Sequence, residues 1–454
     1  MTFPGHWIWA PAVFLSLFFT GMAFGALTAE EAAQLGTTLT VFGAEKAGNK
    51  EGTIPAYTGG LTTPPPEYRP NSGVRPDPFA QDKPLFSIDA RNLERHADKL
   101  SEGVQALLKQ YPSYRIDVYP TRRSVGFPEW VLEGTKNAAT KATVSNEGLT
   151  LKGAQGGLPF PVPKSGYEAM WNHLTTYVAN FRLEGESWYV DANGRPVLGD
   201  KPIFQQNNSG QWDPRFKGQE EYYYNQGKFI SVGPPRRTGN GLLCYNPVDF
   251  AKWDRPVWLY YPAQRRVRLA SDITYDVPNS ALAGITNMDD ANMFNGPMDR
   301  FDFKLIGKKE LYVPYNCYKA AYFTDEHELL GPQHLNPDHL RWELHRMWVV
   351  EGRLKEGKKH NYSLRRYYLD EDSWLILAAD LYDLKGRLFR VGLAYLTFSY
   401  DVKAPTHHFY GFYDLNSRMY SVQTWPSKRG RMTYIETPDP REFSPEALAG
   451  EGVR

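Results

Sequence analysis

In the stretch RWELHRMWVVEG, residues 341–352, a glutamate and a histidine stand two positions apart. Alternate side chains of an extended strand share a face. Glu343, His345 and Met347 therefore point one way, and Trp342, Leu344, Arg346 and Trp348 the other. A carboxylate beside an imidazole can exchange a proton with a substrate, or the two can offer oxygen and nitrogen to a metal. Either chemistry needs a third convergent group, and spacing identifies none. The simpler reading, a Glu–His hydrogen bond satisfied inside a sheet, leads. No metal and no cofactor is expected.

The other reactive residue types are weaker signals. The pair His407-His408 in PTHHFYGFYD makes a poor chelate, because neighbours on a strand face opposite ways. Asp299 and Arg300 precede a strand and read as a loop ion pair or a polar latch. There is no G-x-S-x-G elbow, no phosphate-binding loop, no H-E-x-x-H and no G-x-G-x-x-G. The two cysteines, Cys244 and Cys317, are too few for a thiolate metal site. They form either one disulfide or two separate buried thiols.

The elements that must position these residues are strands. VWLYYPAQRRVRLA, residues 257–270, reads as a β-hairpin around Pro262–Arg265. A four-residue loop sets Tyr261 opposite Arg266 and Tyr260 opposite Val267. One face then carries Trp258, Tyr260, Val267 and Leu269. The other carries Val257, Leu259, Tyr261, Arg266 and Arg268. The first suits an apolar ligand. The arginines could grip an anionic head group, or lie solvated over Tyr261.

Residues 26–165 read as short helices joined by Pro-rich coil. Thr28 and Glu31 form a capping box. SIDARNLERHADKLSEGVQALLKQYP reads as one amphipathic helix, with Leu93, Leu100, Val104, Leu107 and Leu108 on one side. IPAYTGGLTTPPPEYRPNSGVRPDP has no period and reads as coil laid on a surface or an open linker. A helix follows near residue 166. From about residue 181, hairpin signals recur, with Gly placed where turns need positive φ. Helices in one half and a meander in the other give an α+β class. The domain organisation expected is a leader at 1–25, a helical and Pro-rich extension at 26–165, and an antiparallel domain at 166–454.

Bulk composition excludes one class of partner. Lys+Arg 52 against Asp+Glu 51 leaves no basic footprint for nucleic acid. The apolar run HWIWAPAVFLSLFFTGMAFGA, with Ala23 and Gly25 before Ala26, reads as a cleavable secretory leader. The expected location is the periplasm, with outer-membrane association as a further option.

Several long stretches resemble one family. VWLYYPAQRRVRLASDITYD, FNGPMDRFDFKLIGKKELYVPYN, RWELHRMWVVEG, RRYYLDEDSWLILAADLYDLKGRLFRV and, nearer the N-terminus, VFGAEKAGNKEGTIPAYTGGL and VYPTRRSVGFPEW are similar to domain-of-unknown-function family thirteen twenty-nine, called outer-membrane lipoprotein-sorting-like. The C-terminal half is similar to the wider LolA/LolB-like group. The resemblance implies an open antiparallel half-barrel closed by helices over an apolar cavity. It implies a periplasmic carrier of a lipid or other hydrophobic ligand. It also implies partners: a resistance-nodulation-division type transporter and an outer-membrane protein. It supplies no catalytic residues. On this reading Trp258, Tyr260, Val267, Leu269, Trp342 and Trp348 line the ligand site, with Arg266, Arg268, Glu343 and His345 as its polar groups. Two rivals stand beside it. One is an enzyme on a lipophilic substrate, with Glu343 and His345 as acid and base. The other is a non-catalytic adaptor of an envelope transporter.

Overall fold

The structure is a computed structural model that describes residues 24–212, 222–270, 273–407 and 409–452. Most of the expected leader, residues 1–23, lies outside the described residues, as does His408. Phe24 and Gly25 pair with Val144 and Thr143 in a small three-stranded sheet.

The meander expected from the hairpin signals is the larger sheet, of eleven strands. Phe301–Pro314 runs antiparallel to Trp342–Leu354, and Leu364–Asp370, Ile376–Tyr382 and Leu388–Ala394 follow in order. Tyr410–Asp414 and Met419–Trp425 continue it, and Glu186–Val190 with Pro196–Asp200 complete that side. At the other end Phe86–Ile88 and Ile116–Val118 join through the parallel pair Val118↔Trp342. A second sheet of seven strands runs from Arg266–Leu269 through Val257–Tyr261, Gly241–Pro247, Tyr223–Ser231, Pro202–Asn207 and Phe181–Glu184 to Arg431–Tyr434. Neither sheet closes on itself. The class is α+β, mostly sheet. Among the described residues no helix is long and apolar enough to cross a membrane.

Short helices dress these sheets. Ala29–Gln34 begins with the capping box read from the sequence: Glu31 N–H donates to Thr28 Oγ1 at 3.2 Å, and Thr28 N–H to Glu31 Oε2 at 2.8 Å. The helix expected across 87–112 is broken. It is the strand Phe86–Ile88, two single 3-10 turns and the helix Glu102–Gln110. Ser101 ends the earlier turns, because its hydroxyl accepts the Val104 N–H and restarts the chain as an N-cap. The leucine stripe is nonetheless buried, Leu93 through Leu108. Gly166–Thr175 packs on the two longest strands.

One hydrophobic cluster runs from Phe42 to Trp425. It spans both sides of the division at residue 165, so the N-terminal segment and the meander share a core.

Candidate functional site

Glu343 and His345 lie side by side, as alternation requires, and both are buried. His345 Nε2 is 3.1 Å from Glu343 Oε2. Glu343 also accepts from Arg341 Nε at 2.5 Å, Asn316 Nδ2 at 3.0 Å and the Arg122 backbone N–H at 2.7 Å. A carboxylate surrounded by donors is an acceptor only, so the His345 Nε2 carries the proton between them. The Tyr315 ring stacks on the imidazole at 3.7 Å. The hydrogen-bond capacity of Glu343 is used within the protein, which is the satisfied pair of the simpler reading.

The third group that spacing did not reveal comes from the next strand and its turn. Asp370 Oδ1 lies 3.8 Å from His345 Nδ1, and Asp372 is close by. Asp370 Oδ2 accepts from Tyr315 OH, Ser373 N–H and Ser373 Oγ, while Oδ1 has no hydrogen-bond partner among the described residues. Burial, and then the charge of Asp372, pushes the Asp370 carboxyl up to about 6. Arg123 forks Asp372 at 2.9 and 2.6 Å. Arg346 and Lys308 reach Glu371, and Lys308 also pairs with Glu45. Asp82 takes Arg122 and Arg341. The network holds six carboxylates against five arginine and lysine cations. Trp342 is buried in the core, and Trp348 stacks near Trp374 at 6.0 Å with Lys308 Nζ over its ring.

The hairpin at 257–270 has the register read from its turn: Trp258↔Leu269, Leu259↔Arg268, Tyr260↔Val267 and Tyr261↔Arg266. Its apolar face does not line either cavity described below. Tyr260 packs with Ile230, Leu243, Phe443 and Leu448, and Trp258 and Val267 flank that cluster half-buried. The cover is the chain's own C-terminal helix, Pro445–Gly452. A Cβ on Gly452 would sit 2.4 Å from the Tyr260 ring, so only glycine permits that approach. Leu269 is 57% exposed, and Arg266 and Arg268 face outward. The greasy side found its partner in residues that carry no periodic signal pointing at the hairpin.

The larger of two cavities lies elsewhere. Residues 64–75 of the Pro-rich coil lie against the edge strand Arg431–Tyr434 and the turn between the paired strands Thr397–Ser399 and Ala404–Thr406, around a cavity of about 320 Å³. Its walls are Pro64, Tyr68, Pro70, Val402, Met432 and Tyr434. Its charged element is one ion pair. Arg75 donates from Nε and Nη2 to Asp401 at 2.8 and 2.7 Å, from Nη1 to the Met432 carbonyl at 2.9 Å, and lies over the Tyr434 ring. Tyr68 OH donates to Asp401 at 2.8 Å. Burial would raise the Asp401 carboxyl, but the arginine holds it below its ordinary value. Gly73, at φ +74°, turns the coil and accepts the Met432 N–H at 2.9 Å. Sequence reading missed this site. The signal was a tyrosine and an arginine inside a coil too long to be a plain connection.

A second cavity, of about 40 Å³, has polar walls that include Asn208, Asn225, Asn295, His173 and His407. Burial depresses both imidazoles, to about 3 and about 4. The two sulfurs are not joined: Cys244 and Cys317 are separate buried free thiols, which corrects the disulfide alternative. Cys244 sits mid-strand in the seven-stranded sheet. Cys317 follows Phe301–Pro314 of the other sheet, and burial pushes its thiol up to about 12. Arg300 pairs with Asp276 at 3.0 Å and lies on Tyr275, whose hydroxyl donates to Asp299, a local loop contact.

The molecule is thus an open α+β protein of two large sheets, with a cavity around a buried ion pair and a separate buried charge network. It belongs to the family described as Protein of unknown function (DUF1329), whose profile matches residues 87–449. An uncharacterized protein of Pseudomonas aeruginosa is 37% identical over 446 residues, 97% of each chain. A solved DUF1329 family protein from Desulfovibrio piger is 14% identical, covering 62% of this chain and 97% of that one, with a TM-score of 0.42. A LolA superfamily protein from Nitrosomonas europaea is 11% identical, covering 60% and 92%, with a TM-score of 0.34.

Proposed function

We propose that this protein is a non-catalytic binding protein or carrier for a lipid or other hydrophobic molecule. It works in the periplasm beside an envelope export system, with a resistance-nodulation-division type transporter and an outer-membrane protein as partners. The observation that carries this reading is the cavity of about 320 Å³ walled by Tyr68, Pro64, Pro70, Val402, Met432 and Tyr434. Small-molecule sites are mostly apolar, of roughly 300–1,000 Å³, with a few placed polar groups. At the lower end of that range the cavity suits one chain or one small ring system. The Arg75–Asp401 pair gives the ligand's polar end a fixed point of contact.

The enzyme alternative is less well supported. The acid/base candidates Glu343 and His345 line neither cavity, and their mutual hydrogen bond is closed in by Arg341, Asn316 and Tyr315. Titration with 1-aminoanthracene, a small apolar fluorescent ring system, tests the carrier reading. Saturable binding with one site per chain is the expected result. Fluorescence that rises linearly without saturation would refute it.

A further inference from the structure

Two lone pairs face each other in the buried network. His345 Nε2 carries its proton toward Glu343, which has no proton to give. In a neutral imidazole the other ring nitrogen, Nδ1, is an acceptor. It looks at Asp370 Oδ1 across 3.8 Å, and that oxygen has no hydrogen-bond partner among the described residues. Asp370 is fully buried, and its second oxygen already takes three donors. A carboxylate of Asp372 converges on the same point, the three donor atoms lying within 4.8 Å of one another. Facing acceptors in a low dielectric repel unless a positive charge lies between them.

We propose that His345 Nδ1, Asp370 Oδ1 and a carboxylate oxygen of Asp372 bind one divalent first-row metal ion, zinc by preference. An imidazole with two carboxylates suits such ions. Metal–ligand bonds of about 2.0–2.2 Å in a tetrahedral arrangement put donor atoms roughly 3.4 Å apart, close to the 3.8 Å observed between Nδ1 and Oδ1. The surroundings are those of ligands already oriented. Glu343 orients the histidine, Tyr315 and Ser373 hold Asp370, and Arg123 holds both oxygens of Asp372, each of which keeps a second lone pair. Six carboxylates against five arginine and lysine cations favour a further cation there. The three ligands are buried, so the site is structural and is filled during folding. It ties Trp342–Leu354 to the turn after Leu364–Asp370. Through Arg123, it also ties the N-terminal segment to both.

The test is refolding. The full chain is unfolded in guanidinium with a chelator, refolded with or without zinc chloride, and passed through gel filtration. Metal per chain is then measured by mass spectrometry. Wild type should retain about one zinc ion per chain and melt at higher temperature than protein refolded without metal. Asp370→Asn and His345→Gln, checked for fold by circular dichroism, should retain at least tenfold less. Should neither variant fold, wild type refolded with cobalt should show d–d absorption of a nitrogen–oxygen site. Wild type that retains no zinc and no cobalt, with unchanged melting, would overturn the proposal. Equal retention by a folded Asp370→Asn would overturn it as well.

Discussion

Arg75 and Asp401, 326 positions apart in the chain, meet in a two-pronged ion pair with N–O distances of 2.8 and 2.7 Å. Arg75 is 2% exposed, so its charge has no recourse to water. The pair joins the Pro-rich coil to the turn that follows Phe398 and floors the large cavity. Removing one partner of a buried pair costs about 3–5 kcal/mol, because the other charge is left stranded. Asp401→Asn should lower the urea midpoint by an amount worth about 3 kcal/mol at unchanged m. A loss below about 1 kcal/mol is the behaviour of an exposed pair and would mean that the coil does not seal.

Cavity and hairpin make opposite forecasts for ligand binding. Val402→Trp fills the cavity, and at least tenfold weaker binding of 1-aminoanthracene is expected, since the bulk takes the ligand's space. Leu269→Asp alters an exposed residue of the hairpin at 257–270. It should leave affinity unchanged and stability within about 0.5 kcal/mol. The reverse pattern would move the ligand to Trp258, Tyr260, Val267 and Leu269.

Asp380 predicts a pH dependence. It is buried on Ile376–Tyr382 and accepts from Tyr368 OH, the Gly103 N–H and Ser101 Oγ at 2.8, 2.9 and 3.1 Å. Burial outweighs these donors and pushes its carboxyl up to about 6, from an ordinary 3.8. The folded state therefore keeps a proton that the unfolded chain releases. The stability this confers is complete below about pH 4 and lost as pH rises through 6. Asp380→Asn does not titrate, so its stability relative to wild type should climb between pH 4 and 6.5 by about 2 kcal/mol. Parallel stability curves for the two proteins would contradict this.

The cysteines give a simpler forecast. Native protein, never reduced, should react slowly with a thiol reagent, because both side chains are buried. After unfolding without reductant, two thiols per chain should react. None would mean that Cys244 and Cys317 had been joined.

What was legible in the sequence is what a local pattern can encode. The turn at Pro262–Arg265 determined which residues face each other at 257–270, and Thr28 with Glu31 determined a helix start. Strand alternation put Glu343 beside His345. Periodicity reports a face and not what covers it. The apolar face of the hairpin was legible, and its cover by Phe443 and Leu448 was not. The helix read across 87–112 breaks where Ser101 caps and Asp380, from a distant strand, takes the Gly103 N–H. Asp370 and Asp372 join His345 only through strand pairing. Tyr68 and Arg75 join Asp401 only through tertiary folding of a coil without period.

The central claim is that the folded chain holds a hydrophobic molecule. It is tested most directly by native mass spectrometry of the protein purified from the cells that make it, with solvent extraction of whatever is bound. The account predicts a one-to-one adduct with a single-chain lipid or other apolar molecule, lost in Val402→Trp. A clean unliganded mass, with no uptake of offered single-chain lipids, would contradict it.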